Sequence, residues 1–385
     1  MSAIAPFHVM DVLARASQLE SAGREIMHME VGEPDFNTAK PIIEAGRWAL
    51  DEGKMHYTSA TGLMALRCAI AQDYQKHSDH VVSANNVIVT PGASGALQLA
   101  LGVTVNPGDG VLVTDPGYPC NRHMVTLYGG EIQAVPVTAK TDFQLTKELV
   151  MQHWQANSRM VMLASPSNPT GTLIATQELE AIIAWVAGKG GLVIVDEIYH
   201  GLIYNEVCGD RPGTALAAGS NVIVINSFSK YFGMTGWRLG WMVVPDELID
   251  PVDRLAQNIF LAAPTVAQHA ALVALSDEVR PLLDERRDAF KERRDFLLPA
   301  LRSIGFNIEN EPGGAFYLYA DCSVFTDDSM QFSRDLLEQK GVAITPGADF
   351  GVYRQNEHVR FAYTTGLDKL ERAVDLIADY LRSIK

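Results

Sequence analysis

Short runs of strand-forming residues, most of them almost entirely apolar, recur through the middle of this sequence and are separated by helical stretches. We predict strands at Asn86–Thr90, Val111–Thr114, Glu131–Val135, Met160–Ala164, Leu192–Val195, Val222–Ile225 and Leu239–Val244. Strands without polar–apolar alternation are typical of a sheet that helices cover on both faces. The pattern therefore predicts a mostly parallel, doubly wound α/β sheet of seven strands, with ligand sites at the carboxyl ends of the strands.

The sequence changes character after residue 277, where charge-rich helical patterns replace the apolar runs. We predict helices at Arg280–Arg302 and near Met330–Lys340, and strands at Ala315–Tyr319 and His358–Ala362. Segments of this kind predict a smaller α+β domain. The first 45 residues show no pattern of the central sheet. We therefore expect a large domain of residues 46–278 and a small domain of residues 1–45 and 279–385.

The overall charge argues against nucleic acid as a partner. Asp and Glu number 46 against 31 Lys and Arg, which gives the 385-residue chain a formal net charge of −15. Binding to a phosphate backbone needs a basic face. No long uncharged apolar run predicts a membrane span, and no paired spacing of His or Cys predicts a metal site.

Cysteine usage and the first residues indicate the compartment. The cysteines are few and scattered, at Cys68, Cys120, Cys208 and Cys322. A disulfide scaffold needs a short, cysteine-dense chain. The first residues lack a basic stretch followed by a continuous apolar run. Both observations predict a reduced, cytoplasmic protein.

Two predicted strands end in short motifs that offer backbone groups to a ligand. Thr90–Leu97 (TPGASGAL) runs from a strand into a helix, whose first N–H groups favour an anion such as phosphate. Asn168–Gly171 (NPTG) follows the strand MVMLA. Tight connections without a ligand use the same residue types, so neither motif identifies a site by itself.

Charged residues follow the next two strands. Asp196 ends the run LVIV, where a carboxylate serves either a cationic ligand or a helix N-terminus. Lys230 in SFSK and Arg238 in GWRLGW have aromatic neighbours, which would desolvate an ammonium and lower its pKa. A phosphate anchor, a carboxylate for a pyridine nitrogen and an amine for an imine together match the needs of pyridoxal 5′-phosphate (PLP).

Nine segments resemble, in order, the motifs of class I/II aminotransferases, which are PLP-dependent enzymes of fold type I. They are GEPDF (Gly32–Phe36), HYTSATGLMALR (His56–Arg67), PGASGAL (Pro91–Leu97), DPGYP (Asp115–Pro119), SNPTG (Ser167–Gly171), DEIY (Asp196–Tyr199), SFSK (Ser227–Lys230), GWRLGW (Gly236–Trp241) and VRFAYT (Val359–Thr364). They span most of the chain. The resemblance implies a transaminase that moves an amino group from an L-amino acid to a 2-oxo acid by ping-pong chemistry.

The resemblance implies roles around the ring of the cofactor. Lys230 matches the lysine that forms the imine and moves the Cα proton, and Asp196 matches the partner of the pyridine nitrogen. Tyr199 and Asn168 match residues that hydrogen-bond the phenolate oxygen of the ring. Tyr118 matches the aromatic residue that stacks on the ring face.

The resemblance also implies a phosphate site that two subunits share. Ser94, Ser227, Arg238 and the backbone of Ala93 match residues that surround the phosphate. Tyr57 matches a tyrosine that reaches the phosphate of the other subunit. The expected assembly is therefore a homodimer.

Arg360 matches the arginine that binds the α-carboxylate of the substrate, Gly32 matches a backbone contact near it, and Asn168 is expected to contact the substrate as well as the cofactor. The residue type supports this role independently, since the guanidinium fork suits a planar carboxylate. Arg360 lies in the apolar run VRFAYTT, where a surface arginine on a strand is the alternative.

Two other activities stay open. The segment GASGA after NVIVTP is similar to a dinucleotide-binding turn, and Asp115 lies where a ribose-binding acid would, which would indicate a nucleotide-dependent oxidoreductase. The complete GxGxxG and a YxxxK pair are both absent from the sequence. Fold type I also supports reactions such as β-elimination by lyases, which the fold alone does not exclude.

The side-chain preference of the substrate depends on residues that no motif identifies. A dicarboxylate substrate needs a second cation, for which Arg122 is a candidate, although a solvated loop arginine is the more ordinary interpretation. The aromatic residues Phe7, Tyr118 and Phe361 would instead favour an apolar substrate.

Overall fold

A computed structural model describes residues 4–208 and 213–384 of the chain. Its strands are β1 (Met27–His28), β2 (Val87–Thr90), β3 (Gly110–Asp115), β4 (Glu131–Pro136), β5 (Ser158–Ala164), β6 (Leu192–Asp196), β7 (Val222–Ser227), β8 (Gly240–Val243), β9 (Tyr317–Asp321), β10 (Val342–Ala343), β11 (Thr345–Pro346) and β12 (His358–Ala362).

Helices occupy about half of the remaining described chain, and short 3-10 turns lie in several of the connections to strands. They are α1 (His8–Ser21), α2 (Lys40–Asp51), α3 (Met64–Ser78), α4 (Gly92–Thr104), α5 (Pro119–Leu127), α6 (Lys147–His153), α7 (Thr176–Gly188), α8 (Asn205–Cys208), α9 (Asp246–Ile259), α10 (Thr265–Ala274), α11 (Arg280–Ser303), α12 (Ser329–Lys340) and α13 (Leu367–Ser383). Within the described ranges, each helix is too short or too polar to cross a membrane.

The central sheet has seven strands in the order β2-β8-β7-β6-β5-β3-β4. Strand β8 runs antiparallel to β2 and β7, and the other neighbouring pairs are parallel. The prediction of a mostly parallel α/β sheet is confirmed. Each predicted strand is present, and the observed ends differ from the predicted ends by at most two residues.

Both faces of the central sheet are buried except along the edge strand β4, which explains why most of the other strands are almost entirely apolar. On β6, Ile194 packs into a cluster with residues of α4, α5 and α9. Its neighbours Val193 and Val195 point to the opposite face and pack with residues of α6 and α7. A strand with helices on both sides has no solvent-facing positions, so polar residues are confined to its ends.

The C-terminal part of the chain forms a smaller antiparallel sheet in the order β11-β12-β9. Strand β1, from the N-terminal segment, pairs with β10 in a separate two-stranded parallel sheet. The N-terminal segment therefore joins the C-terminal part through backbone hydrogen bonds. The boundary expected between residues 45 and 46 falls within α2, and the division into two domains stays a prediction.

Strand β9 begins two residues later than predicted. The expected strand was Ala315–Tyr319, and the observed strand is Tyr317–Asp321. Ala315 has a positive φ of 58°, in the left-handed region that extended strands do not use. The shift places Tyr317 directly opposite Ala362 of β12.

Candidate active site

Residues from the carboxyl ends of neighbouring strands meet around two adjoining cavities. The larger cavity has a volume of about 400 Å³ and the smaller one about 180 Å³. Small-molecule binding sites typically have volumes of roughly 300–1,000 Å³. The larger cavity therefore has room for a cofactor without the smaller cavity. Both cavities are lined by Val31, Gly32, Tyr118, Asp196, Ile198 and Lys230.

Lys230 lies in the loop after β7, where the two cavities meet. Its Nζ donates a hydrogen bond to the carbonyl oxygen of Gly32 at 2.6 Å and lies 5.8 Å from the ring centroid of Tyr199. Burial lowers the pKa of Lys230 to about 8, although the carboxylate of Glu33 counteracts part of this effect. The amine is therefore uncharged in a larger fraction of molecules than an exposed lysine would be.

Asp196 is the last residue of β6, and its carboxylate faces both cavities. Its Oδ1 accepts a hydrogen bond from the backbone N–H of Ile198 at 3.0 Å. Burial raises the pKa of Asp196 to about 7, and the hydrogen bond from Ile198 and the charge of Lys230 offset only part of the rise. A cationic ligand group beside Asp196 would supply the missing counter-charge.

Three further residues predicted from the resemblance surround Lys230 and Asp196. Tyr199 and Asn168 line the smaller cavity, and Tyr118 lines both. The hydroxyl of Tyr199 lies 2.8 Å from the hydroxyl of Tyr317. Burial raises the pKa of Tyr199 well above its usual range, so its hydroxyl is protonated and available to donate a hydrogen bond.

The predicted phosphate-binding residues lie together at one side of the larger cavity. Ala93 and Ser94 are in the first turn of α4, whose N–H groups lack partners within the helix. Ser227 ends β7, and Arg238 lies in the loop before β8. Arg238 is held by a hydrogen bond from its Nη1 to the carbonyl oxygen of Thr235 at 3.0 Å.

Gly92 allows Arg238 to approach the beginning of α4. A Cβ atom at Gly92 would lie 2.8 Å from Nη2 of Arg238, and the φ of Gly92 is +72°. The left-handed backbone favours glycine at this position, and the absence of a Cβ leaves room for the end of the Arg238 side chain. The positive end of the helix and a guanidinium therefore face the same space.

Arg360 lies in the smaller cavity and is 3% exposed. Its Nη1 donates to Oδ1 of Asn168 at 2.9 Å, and its Nη2 donates to Oγ1 of Thr345 at 3.1 Å and to the carbonyl oxygen of Glu30. The ring of Tyr317 covers one side of the guanidinium, with its centroid 4.4 Å from Cζ. The alternative of a surface arginine is excluded by this burial, and the fork is held in one orientation.

Apolar residues form the rest of the smaller cavity. They include Phe7, Val9 and Met10 at the beginning of α1, together with Val31 and Tyr317. Phe7 packs edge-on against Tyr118, with ring centroids 6.3 Å apart. The cavity thus has a cationic side at Arg360 and an apolar wall.

Three residues considered in the sequence lie outside both cavities. Tyr57 is 82% exposed, so it does not join the other predicted site residues within one chain. Arg122 instead donates to the carbonyl oxygen of Asp349 at 2.9 Å. Phe361 is fully buried and packs against Phe306, so it belongs to the core.

Comparison with known proteins decides the family. The sequence profile described as aminotransferase class I and II matches residues 24–377. The chain belongs to the class I and II aminotransferases. A valine–pyruvate aminotransferase of Mycobacterium tuberculosis is 37% identical over 380 residues, which cover 99% of this chain and 97% of the relative.

Two further similarities extend over nearly the whole chain. A crystal structure of an aminotransferase from Mycobacterium tuberculosis has a TM-score of 0.95 and 37% identity, and the match covers 99% of this aminotransferase and 98% of that chain. A (5-formylfuran-3-yl)methyl phosphate transaminase of Methanocaldococcus jannaschii is 35% identical over 97% of this chain and 96% of its own. These matches confirm the predicted family, fold and transaminase activity.

Class I and II aminotransferases use PLP, and the residues of this aminotransferase fit that group. The larger cavity offers the first N–H groups of α4, the hydroxyls of Ser94 and Ser227, and Arg238 to a phosphate. Asp196, whose pKa burial has raised, suits a protonated ring nitrogen. Among the residues that the structure describes, no cluster of three or more His, Cys, Asp or Glu side chains has the geometry of a metal site.

Sequence motifs did not identify several residues that shape the smaller cavity. Tyr317, Thr345 and the carbonyl oxygen of Glu30 all contact Arg360 or Tyr199. None lies in a functional motif. The missing information was the pairing of β9 with β12. Tyr319 of β9 lies directly opposite Arg360 of β12. Tyr317 is two residues from Tyr319, so its side chain lies on the same face of the sheet as Arg360.

Proposed function

We propose that this aminotransferase moves the amino group of an L-amino acid with an apolar side chain to a 2-oxo acid, and that both substrates occupy the smaller cavity in turn. The combination of one fixed guanidinium, Arg360, with the apolar side chains of Phe7, Val9 and Met10 in the lining of this cavity carries this proposal. Among the described residues that line the cavity, Lys230 and Arg360 are the only cations. A second carboxylate on the substrate would therefore be buried without a partner, which is costly.

Relatives support the same substrate class. The 37% identical protein of Mycobacterium tuberculosis is named for valine, which has an apolar side chain, and for pyruvate. Pyruvate is a 2-oxo acid with one carboxylate and a methyl group, so it would bring no second charge into the cavity. We propose pyruvate as an acceptor on this ground.

We propose that the larger cavity holds the phosphate of PLP. Ser94, Ser227 and the backbone N–H of Ala93 would donate hydrogen bonds, and Arg238 would add a charge-assisted pair. Tyr118, which lines both cavities, would cover one face of the ring. When bound, PLP supplies an aldehyde carbon that accepts amino groups and a ring that withdraws electrons from the substrate Cα.

The proposed roles around the ring follow from position and charge. Asp196 would pair with the protonated ring nitrogen, and Tyr199 and Asn168 would donate to the phenolate oxygen. Lys230 would bind the aldehyde carbon covalently and, once displaced by substrate, move the proton at Cα. Its lowered pKa suits both tasks, because a neutral amine is the nucleophile and the base.

We propose that Arg360 binds the α-carboxylate that amino acids and 2-oxo acids share. Its guanidinium is fixed by Asn168 and Thr345, and its buried Nε has no hydrogen-bond partner in the described structure. A carboxylate oxygen would satisfy such a donor. Gly32 lines the same cavity and would bring its backbone close to the substrate.

We also propose a homodimer that shares its sites. Tyr57 is 82% exposed, and Met55, Met64 and Leu261 are each about half exposed or more, at 59%, 52% and 49%. A hydrogen bond from Thr265 to the carbonyl oxygen of His56 holds the loop of Met55 and Tyr57 beside the N-terminus of α10. A second copy of the chain would cover this apolar surface, which a monomer would leave in water.

A panel of amino donors tests the substrate class. Valine, leucine and phenylalanine are compared with aspartate and glutamate, each with pyruvate and with 2-oxoglutarate as acceptor. We expect kcat/KM for the apolar donors to exceed that for the acidic donors by at least about tenfold, because an unpaired carboxylate is costly to bury. Preference for aspartate or glutamate would contradict the proposal.

A further inference from the structure

The first turn of α1 forms the apolar wall of the smaller cavity, yet the helix has no cap of its own. Phe7 occupies the N-cap position and has no side-chain group that accepts a hydrogen bond. The first backbone N–H groups of a helix have no partners within the helix. Since Phe7, Val9 and Met10 all line the cavity, the shape of the wall depends on what holds these N–H groups.

Asp349 supplies the missing cap from a distant part of the chain. Its Oδ1 accepts from the backbone N–H of His8 at 2.7 Å, and its Oδ2 accepts from the N–H of Val9 at 2.8 Å. Asp349 is 3% exposed, so water does not compete for these bonds. A negative charge at the N-terminus of a helix also interacts favourably with the helix dipole.

The same short segment holds Arg360. Thr345 accepts a hydrogen bond from Nη2 of Arg360 at 3.1 Å, and the ring centroid of Phe350 lies 5.0 Å from its Cζ. The carbonyl oxygen of Asp349 is fixed in turn by Arg122 at 2.9 Å. Residues 345–350 therefore contact both the guanidinium of Arg360 and the first turn of α1, two parts of the lining of the smaller cavity.

We propose that Asp349 is a positioning residue for substrate selectivity, since it holds Phe7, Val9 and Met10 at a fixed distance from Arg360. This inference rests on the proposed binding of the α-carboxylate by Arg360. A substrate anchored there reaches the wall only when its side chain is long enough. Long apolar side chains gain contact with the wall, whereas a methyl side chain does not.

Binding of simple carboxylic acids to the holoenzyme tests this without turnover. The probes are propanoate and 4-methylpentanoate, whose dissociation constants are measured by titration calorimetry. Three additional buried carbons should make the longer acid bind at least about tenfold more tightly to the wild type. We define the selectivity ratio as the dissociation constant of propanoate divided by that of 4-methylpentanoate. In Asp349→Ala, the selectivity ratio should fall below about three, while the affinity for propanoate itself changes less than about threefold.

Asp349→Asn keeps the shape of the side chain and one accepting oxygen, so its ratio should lie between those of Asp349→Ala and the wild type. The matched control is Glu338→Gln. It breaks the ion pair with Arg15 near the middle of α1 and leaves both bonds to Asp349 in place. The control should keep the wild-type ratio.

Two results would overturn the inference. One is a wild-type ratio in both Asp349 variants, and the other is an equal loss of affinity for both acids, which would place the effect at Arg360. Arg360→Ala separates the inference from the proposed function, because it should abolish binding of both acids. If both acids still bind that variant, the assignment of the carboxylate site is wrong, whatever the ratio in the Asp349 variants.

Discussion

Burial changes the acid–base behaviour of Lys230 and Asp196 in opposite directions. It lowers the pKa of the Lys230 amine to about 8 and raises the pKa of the Asp196 carboxyl to about 7. The cause is the same for both, since poorly solvated surroundings disfavour the charged form of either group. The neutral amine of Lys230 suits reaction with an aldehyde. The carboxyl of Asp196, which has no full counter-charge, suits pairing with a pyridine nitrogen.

The pH dependence of cofactor attachment should report the pKa of Lys230. In the apoprotein, the rate of PLP attachment should rise with pH and level off above about 8, because the neutral amine becomes the dominant form above its pKa. Rapid-mixing absorbance measurements across the pH range would show this. A rate that is constant or falls as pH rises would contradict the assignment of the amine.

Replacing Asp196 by Asn should remove the charge and keep the shape. We expect kcat to fall at least about tenfold, because a hydrogen bond to a charged group contributes roughly 1.5–3 kcal/mol. The matched control is Glu197→Gln at the same strand end. Glu197 is buried, accepts from Thr214 and Ala215, and lines neither cavity. A wild-type kcat in Asp196→Asn, or an equal loss in both variants, would contradict the role of Asp196.

At the scale of secondary structure, the phosphate site depends on how α4 meets the loop before β8. The first turn of α4 and the guanidinium of Arg238 face one space, and Gly92 makes that approach possible. The backbone at Gly92 is left-handed, with a φ of +72°. Any side chain there would both strain the backbone and push Arg238 away.

Gly92→Ala should therefore weaken PLP binding as well as stability. We expect the dissociation constant for PLP to rise at least about tenfold, because a displaced Arg238 loses a charge-assisted pair with the phosphate. Equilibrium titration of the apoprotein with PLP measures this.

Gly190→Ala is the matched control for backbone strain. Gly190 has a similar φ of +70°, and a Cβ there would meet nothing within 4 Å. Both variants should lose roughly 1–2 kcal/mol of stability, but only Gly92→Ala should lose affinity for PLP. Equal affinities in the two variants would contradict the proposed geometry.

The strands and the residues at their ends were predictable because their signals are local. Helices on both faces make most of the strands almost entirely apolar, so a polar residue such as Asp196 marks the end of its strand directly. The predicted beginning of β9 was wrong because no residue pattern in the sequence indicates the left-handed backbone at Ala315. Tyr317 was missed for a related reason, since its position beside Arg360 depends on strand pairing.

At the scale of the whole molecule, the substrate cavity joins segments that are far apart in the sequence. Asp349 caps α1 although the two are separated by at least 340 residues in the sequence. The carbonyl oxygen of Glu30 accepts a hydrogen bond from Arg360, which lies 330 residues later. Such contacts depend on how the N-terminal segment pairs with the C-terminal part. No local pattern encodes them, so the sequence alone predicted Arg360 and Asn168 but not Thr345 and Glu30, which also hold the guanidinium.

Mixing two inactive variants tests whether two chains share a site. If Tyr57 acts across a dimer, heterodimers of Tyr57→Phe and Lys230→Ala chains contain one intact site and one site with both lesions. About half of the sites in each heterodimer should then be active, by the two-fold symmetry of a dimer. Activity of the mixture is compared with the sum of the two homodimers. No gain in activity, although heterodimers are detected, would mean that each site uses its own Tyr57.

The central claim is that distant segments fold into one PLP site whose covalent attachment point is Lys230. The direct measurement is reduction of the PLP-loaded protein with borohydride, followed by proteolysis and mass spectrometry of the labelled peptide. We expect a single pyridoxyl label on Lys230 and none in Lys230→Ala. A label on another lysine of the wild-type protein, or no label after PLP has been added, would contradict it.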